Sequence, residues 1–347
     1  MLRDKSTLTL GIILPLILLI IFGYGLSLDV NNVDVALVRD TSSPITRDLY
    51  FALLLSPSFS PRMVDSMARA RELLINMESH AIVRHEAAHE SDGRIQIIVN
   101  GRDANSARIM QRYLEAATAL WLERRLSPLS EKGGASLLPR VWFNDALESR
   151  FFLVPGVTVL IMTLIGCLLT ALVVAREWER GTFEALAATN VLRSEIIISK
   201  TLPYFVLGLI GLFLSLLAAR LIFEVPMRGS FLLIIATSSI YLVASLGIGL
   251  LISTISKSQF LSSQVVLLAS FMPTIMMSGF IFDLKSAPLI AQYIAHLFPA
   301  TWYVDLLQTL FLVGNIPEII IRDTVVLLFF AVLFLSLAIH KMQKTLE

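Results

Sequence analysis

Residues 151–219 read FFLVPGVTVLIMTLIGCLLTALVVA (151–175), REWERGTFEALAATNVLRSEIIISK (176–200) and TLPYFVLGLIGLFLSLLAA (201–219). Two uncharged apolar runs flank one charged island. A helix of about 20 residues crosses a hydrocarbon core of ~30 Å, so each flanking run is long enough to span a membrane. The island carries Arg176, Glu177, Glu179, Arg180, Glu184, Arg193, Glu195 and Lys200. A polar element held between two spans is either a plain connector or a handle by which another protein moves the membrane part.

The rest of the chain extends the pattern. Of its 347 residues, 56% are hydrophobic and 16% charged. Mean hydropathy is +0.75. Soluble domains average about 25% charged residues. Further uncharged runs are Ser6–Leu28, Gly229–Ser256 and Ser258–Phe282, with Pro273 a kink in the last. Thr324–Ile339 reaches span length if Ile319–Ile321 extends it and Arg322 and Asp323 snorkel or line the bundle. The fold class expected is therefore an α-helical polytopic membrane protein with six transmembrane helices. Asp283–Asp323 is too apolar for a plain loop. Leu289–Leu297 and Tyr303–Val313, separated by Pro299, read as short interfacial helices, with Trp302 and Tyr303 at headgroup depth.

Charge is concentrated in residues 29–150, which hold 15 Lys/Arg and 16 Asp/Glu. That segment is long enough for its own core. Val33, Val35 and Leu37 alternate with Asp34 and Ala36, a strand pattern. Pro44–Leu55 and Val64–Met77 read as helices on either side of the breaker-rich Ser56–Pro61. Ala81–Val83 and Ile95–Val99 suit strands. Ala107, Met110, Leu114, Ala117 and Trp121 give one apolar helical face. The expected order is β-α-α-β-β-α, an inserted α/β domain. The chain thus divides into residues 1–28 with the first span, 29–150 outside, and 151–347 with spans two to six, the loop 176–200 and an outer hairpin 283–323.

Orientation follows from Lys/Arg in the short segments. With the N-terminus inside, Arg3, Lys5, Arg176, Arg180, Arg193, Lys200, Lys257, Lys341 and Lys344 lie inside, against Arg220, Arg228, Lys285 and Arg322 outside. Both termini and the charged loop are then cytoplasmic and residues 29–150 extracytoplasmic.

Chemistry is sparse. The net charge of +1 gives no reason to expect nucleic acid. The single Cys167 lies in an apolar run, and one cysteine forms no intrachain disulfide. His85-Glu86-Ala87-Ala88-His89 matches H-E-x-x-H, which on a helix places two zinc ligands on one face with Glu as general base. Here the motif follows a strand pattern and meets Ser91-Asp92-Gly93, leaving little room for a helix, so no metal site is expected. No Lys–Ser/Thr pair follows a Gly, as a phosphate loop requires. The five clear spans carry no ionisable side chain for an ion relay. No cofactor is expected in the chain, and energy has to enter from elsewhere, with the charged loop as the entry point.

Within that loop, Gly181 ends the preceding helix. Thr182 caps a short helix of about Thr182–Thr189, with Glu184 at its positive end. Asn190 stops it, and Ser194 caps the next. Trp178, Phe183 and Leu186 are large apolar groups among charges, the composition of a contact surface.

At these residues the sequence resembles the permease subunits of type-2 ABC exporters. Their loop after span two carries R-E-x-E-x-G-T-x-E-x-L, matched by Arg176, Glu177, Glu179, Gly181, Thr182, Glu184 and Leu186. Val99–Ala107 is similar to the subgroup with a large extracytoplasmic domain after span one. The resemblance implies separate ABC ATPase subunits that bind the ATP and dock on Arg176, Glu177, Glu179, Arg180, Gly181, Thr182, Phe183, Glu184 and Leu186. It implies a second permease chain, identical or paralogous, and a periplasmic adaptor on the external domain. The family usually has Pro where Asn190 stands. Its members carry an amphipathic helix before span one. Only Met1–Lys5 stand there, which reads as a truncated or misassigned start, or as a missing elbow.

The function expected is an ATP-driven exporter permease in a bacterial inner membrane, not itself an enzyme. Its apolar spans suit a drug-like or lipid-like amphiphile amid membrane lipid. The alternatives are a membrane-anchored extracytoplasmic sensor or assembly protein and, more remotely, an external metalloprotease.

Overall fold

The computed structural model describes residues 11, 13–25, 32–39, 44–56, 58–87, 93–101, 104–126, 148–182, 192–281, 284 and 287–342. Its contacts divide the chain into Leu28–Val141 and a second unit made of Met1–Ser27 and Trp142–Glu347.

Leu28–Val141 contains β1 (Val33–Val38), α2 (Pro44–Leu54), β2 (Phe59–Val64), α3 (Met67–Ile75), β3 (Ala81–Ala87), β4 (Gly93–Val99) and α4 (Ala104–Leu126); the first helix of the chain, α1, belongs to the other unit. The sheet order is β2-β1-β3-β4. β2, β1 and β3 run parallel, and β4 is antiparallel to β3. Alternation along β1 and β3 sends Val35, Leu37, Ala81 and Val83 to one face, against Leu49 and Leu53 of α2 and Met110, Leu114 and Trp121 of α4. Ala36, Val38 and Ile82 go to the other face, against Ala70 and Leu73 of α3. The result is three layers with β1 and β3 in the middle. The buried Ser79 hydroxyl accepts the Ala36 N–H at 3.1 Å and bonds the Ala81 carbonyl at 2.8 Å.

This corrects the expected order to β-α-β-α-β-β-α. The breaker-rich run read as a linker leads into β2, and the helix expected from Val64 starts at Met67, where Ser66 accepts the Arg69 N–H. Pro61 misled the reading. It lacks a ladder donor, yet an edge strand tolerates it. The underlying alternation is present, with Phe59 and Pro61 buried and Ser60 and Arg62 exposed.

In the other unit, five helices among the described residues are long and apolar enough to cross a membrane. They are α5 (Ser149–Glu179), α6 (Arg193–Leu221), α7 (Phe231–Ser256), α8 (Gln259–Met277) and α11 (Pro317–Lys341). The first expected span is described as the shorter α1 (Leu14–Gly25). α9 (Leu289–Ala295) and α10 (Pro299–Gln308) form the hairpin before α11. Pro299 opens α10 rather than lying between two helices, because a first-turn residue needs no intrahelical N–H bond.

α5 and α8 each contain a π-helical segment, at Leu164–Leu169 and Leu267–Phe271. In α8 the widened turn directly precedes Pro273, whose missing N–H leaves the i−4 carbonyl without its helical donor. α5 and α7 approach closely at small residues. A Cβ on Gly166 would strike Ser245, and one on Gly249 would strike Thr170 Oγ1 and the Cys167 carbonyl. Buried polar groups pair within the bundle. Tyr241 bonds Thr163 and stacks on Tyr303 at 4.1 Å, and Tyr303 donates to Ser238 at 2.7 Å. Of the two charges near the start of α11, Asp323 lines the bundle and Arg322 stays half-exposed. Asp323 is fully buried and accepts from Arg322 Nε at 2.7 Å, while Arg322 also reaches Asp305 at 2.8 Å.

Candidate functional site

α5 does not stop where its apolar run ends. It continues through Arg176, Glu177, Trp178 and Glu179, because helical hydrogen bonding does not depend on whether side chains face lipid or water. Arg180 is its C-cap, its N–H bonded to the Arg176 carbonyl at 3.1 Å. Gly181 follows at φ +66°, a left-handed value that glycine adopts without a Cβ clash. Thr182 donates to the Glu177 carbonyl at 3.2 Å, so its hydroxyl closes α5 instead of accepting from a new helix. Phe183, Glu184, Leu186 and the rest of the expected Thr182–Thr189 helix lie outside the described residues, as does Asn190.

The next helix also starts differently from the sequence reading. Leu192 is the N-cap of α6, and Ser194 sits inside its first turn. Glu195 accepts the Leu192 N–H at 2.9 Å, satisfying a donor that helix geometry leaves unpaired.

Three of the four charges at the end of α5 bond residues of two neighbouring helices. Glu177 forms an ion pair with Lys200 of α6, both side chains mostly covered. Its second carboxylate oxygen is buried without a hydrogen-bond partner among the described residues. Glu179 faces α8. One of its oxygens accepts the Gln259 backbone N–H at 2.7 Å and the other accepts the Gln259 side-chain amide. Arg176 Nε donates to the Gln259 side-chain oxygen Oε1 at 3.2 Å. Lys257, at φ +51° in the turn between α7 and α8, holds its ammonium 5.0 Å from the Trp178 ring centre. Trp178 also packs against a cluster of Val174, Ile196, Ile197, Leu250, Ala338 and Met342, drawn from α5, α6, α7, α11 and its C-cap.

Together these contacts make the last turn of α5 a junction. Beside it, Val173, Arg176, Glu177, Arg180, Thr182, Lys200 and Tyr204 line a cleft of about 400 Å³. The structure thus brings Arg176, Glu177, Glu179, Arg180, Gly181 and Thr182 together. It adds Lys200, Lys257 and Gln259. Sequence reading missed Gln259, an uncharged residue 80 positions from Glu179. The only signal was its place at the start of the fifth apolar run.

The H-E-x-x-H residues do not form a helical metal site here. His85 and Glu86 lie on β3, paired with Ile95 and Arg94 of β4, and successive strand residues face opposite sides. His85 is buried, and His89 lies outside the described residues.

The model of the ABC-2 family transporter protein matches residues 5–340. A relative from Escherichia coli K12 named "Probable multidrug ABC transporter permease YbhS" is 37% identical over 99% of this chain and 94% of its own length. Another from the same organism, "Probable multidrug ABC transporter permease YbhR", is 24% identical over 90% of this chain and 86% of its own. The "Inner membrane transport permease YhhJ" of that strain is 28% identical over 85% and 73%. With several apolar helices of spanning length and a family match along nearly its whole length, the chain belongs to the ABC-2 transporter family as a membrane-embedded permease subunit, a kind of protein that works with ABC ATPase partners.

Proposed function

We propose that this permease moves an amphiphilic, drug-like or lipid-like substrate outward, driven by separate ATPase subunits that dock on Arg176–Leu186. The observation that carries the reading is the junction itself. The turn leading into the loop is bonded to both α6 and α8, so a push on the loop reaches three helices at once. Apolar spans and the word multidrug in the names of YbhS and YbhR support the substrate class.

In this reading the permease sits in a bacterial inner membrane with both termini and the loop inside. Residues 29–150 lie outside, where they form the extracytoplasmic domain and offer a surface to a periplasmic adaptor. The chain itself binds no nucleotide and pairs with a second permease, identical or paralogous, so that two ATPases act on two loops. Lys/Arg placement supports the orientation.

The test is co-purification. Glu184→Arg reverses a charge on the docking segment and is expected to reduce recovered ATPase subunit by about tenfold or more, since charge mismatch at an interface costs at least about 1.4 kcal/mol. Undiminished recovery in both Glu184→Arg and Glu177→Ala would remove the loop as the docking site.

A further inference from the structure

We propose that Gln259 is the positioning residue that transmits movement of the docking loop into α8. The inference rests on the docking reading above and deepens it.

All the hydrogen-bonding groups of Gln259 that face α5 are engaged. Its side-chain oxygen accepts from Arg176, its side-chain amide donates to Glu179, and its backbone N–H donates to the other Glu179 oxygen. Glu179 therefore acts as an external cap on α8. It supplies a carboxylate at the helix end whose N–H groups lack internal acceptors and whose dipole favours negative charge. A carboxylate bonded twice to one residue also fixes direction as well as distance, as paired hydrogen bonds do. Arg176 and Glu179 are three apart on α5, so both sides of the Gln259 amide are held by one helix face.

The receiving helix is suited to move. α8 is the least buried of the five long helices, with 22% of its most apolar window covered against 83% for α5. It bends most easily in its middle, where the π segment Leu267–Phe271 meets Pro273. Its first residue is held by α5, while its far half packs only through the face carrying Ser270 and Thr274 and leaves Met272 and Met276 exposed. Lys257 over Trp178 restrains the preceding turn, and Val266 packs on Ala171 and Cys167 higher up, so Gln259, bonded to both Arg176 and Glu179, is the polar contact through which a rotation of α5's last turn becomes a tilt of α8. α6 receives the same rotation through Lys200, an independent connection.

The test exchanges the two side chains. Gln259→Glu sets one carboxylate against another and removes the amide donor. Glu179→Gln combined with Gln259→Glu restores the bonds with roles reversed: the amide now at position 179 donates, and the carboxylate now at position 259 accepts from it and from Arg176. The readout is Met276→Cys in a Cys167→Ser background. Met276 lies on the far half of α8 and is 57% exposed, whereas Cys167 is fully buried. Its rate of reaction with a maleimide is measured in the permease–ATPase complex, nucleotide-free and trapped with ATP and vanadate.

The expected result is a nucleotide-dependent change in rate with Gln259. That change shrinks about tenfold in Gln259→Glu with ATPase recovery unchanged, and returns in the exchanged pair, a size within reach of a coupling residue that touches neither ligand. An undiminished change in Gln259→Glu, or no recovery in the exchanged pair, overturns the relay. Loss of ATPase from Gln259→Glu alone also overturns it, because Gln259 then holds the docking surface instead. If no ATPase co-purifies with the unaltered chain, the docking reading has failed, an outcome separate from all of these.

Discussion

Glu177 and Lys200 meet from two helices with side chains 20% and 28% exposed. Neither is in bulk water or fully buried, so the energetics lie between two limits. Exposed ion pairs contribute under ~1 kcal/mol, whereas stranding one partner of a buried pair costs about 3–5 kcal/mol. Glu177→Ala leaves Lys200 mostly covered and without its anion. We expect a loss of about 2 kcal/mol, between those limits, seen as a lower thermal midpoint of the detergent-purified protein. Glu177→Ala with Lys200→Ala should recover part of that loss, since neither charge is then stranded. Equal midpoints for Glu177→Ala and the unaltered protein would show that water, not Lys200, satisfies the carboxylate. Sequence reading found Glu177, Arg176 and Glu179 because charges between apolar runs stand out. It could not find Gln259, whose role depends on two helices far apart in the chain meeting at their ends. It also misassigned Thr182, because a hydroxyl near a helix end can donate backward or accept forward and only geometry decides.

Helices of spanning length fall on the uncharged runs because such a run has no other stable place for its backbone than a hydrogen-bonded helix in lipid. Their ends were less legible. α5 gained Arg176–Glu179 and α6 gained Arg193–Lys200, since a helix continues past the apolar boundary while its capping permits. β2 was hidden by Pro57 and Pro61, which mark turns in most contexts and edge strands in few. Packing between helices left a weaker trace. Without a hydrophobic drive in lipid, helices pair through small residues that allow close backbone approach. Gly166 and Gly249 do this between α5 and α7. Gly249→Val forces side-chain atoms into Thr170 and the Cys167 carbonyl, and a backbone carbonyl cannot rotate away. We expect about 1–3 kcal/mol of destabilisation and reduced recovery of folded protein by size-exclusion chromatography. Gly181→Ala makes the comparison informative. Among the described residues no atom lies within 4 Å of its added Cβ, but the φ of +66° costs about 1 kcal/mol locally. It should leave the midpoint nearly unchanged and act on ATPase recovery. Similar behaviour of the two variants would mean that α5 and α7 are not in close contact at Gly249.

At the scale of the molecule, direction in the membrane decides what each unit meets. Nine Lys/Arg in the segments assigned inside against four outside is a bias of five charges. Moving one elementary charge across a membrane changes its energy by about 2.3 kcal/mol per 100 mV, which is why such a bias orients a chain. The docking and export reading requires that same direction, because ATP is on the cytoplasmic side. Two single-cysteine proteins in a Cys167→Ser background test it without reference to transport. Asp65, with an 86% exposed side chain, lies in Leu28–Val141, and Leu192, 63% exposed, precedes α6. A membrane-impermeant maleimide applied to spheroplasts should label Asp65→Cys at once and Leu192→Cys only after the membrane is opened. The reverse pattern would put Leu28–Val141 inside and the loop outside. The junction of α5, α6 and α8 would then stand, but as a structure facing partners other than ATPases, and the driving force for transport would have to enter elsewhere.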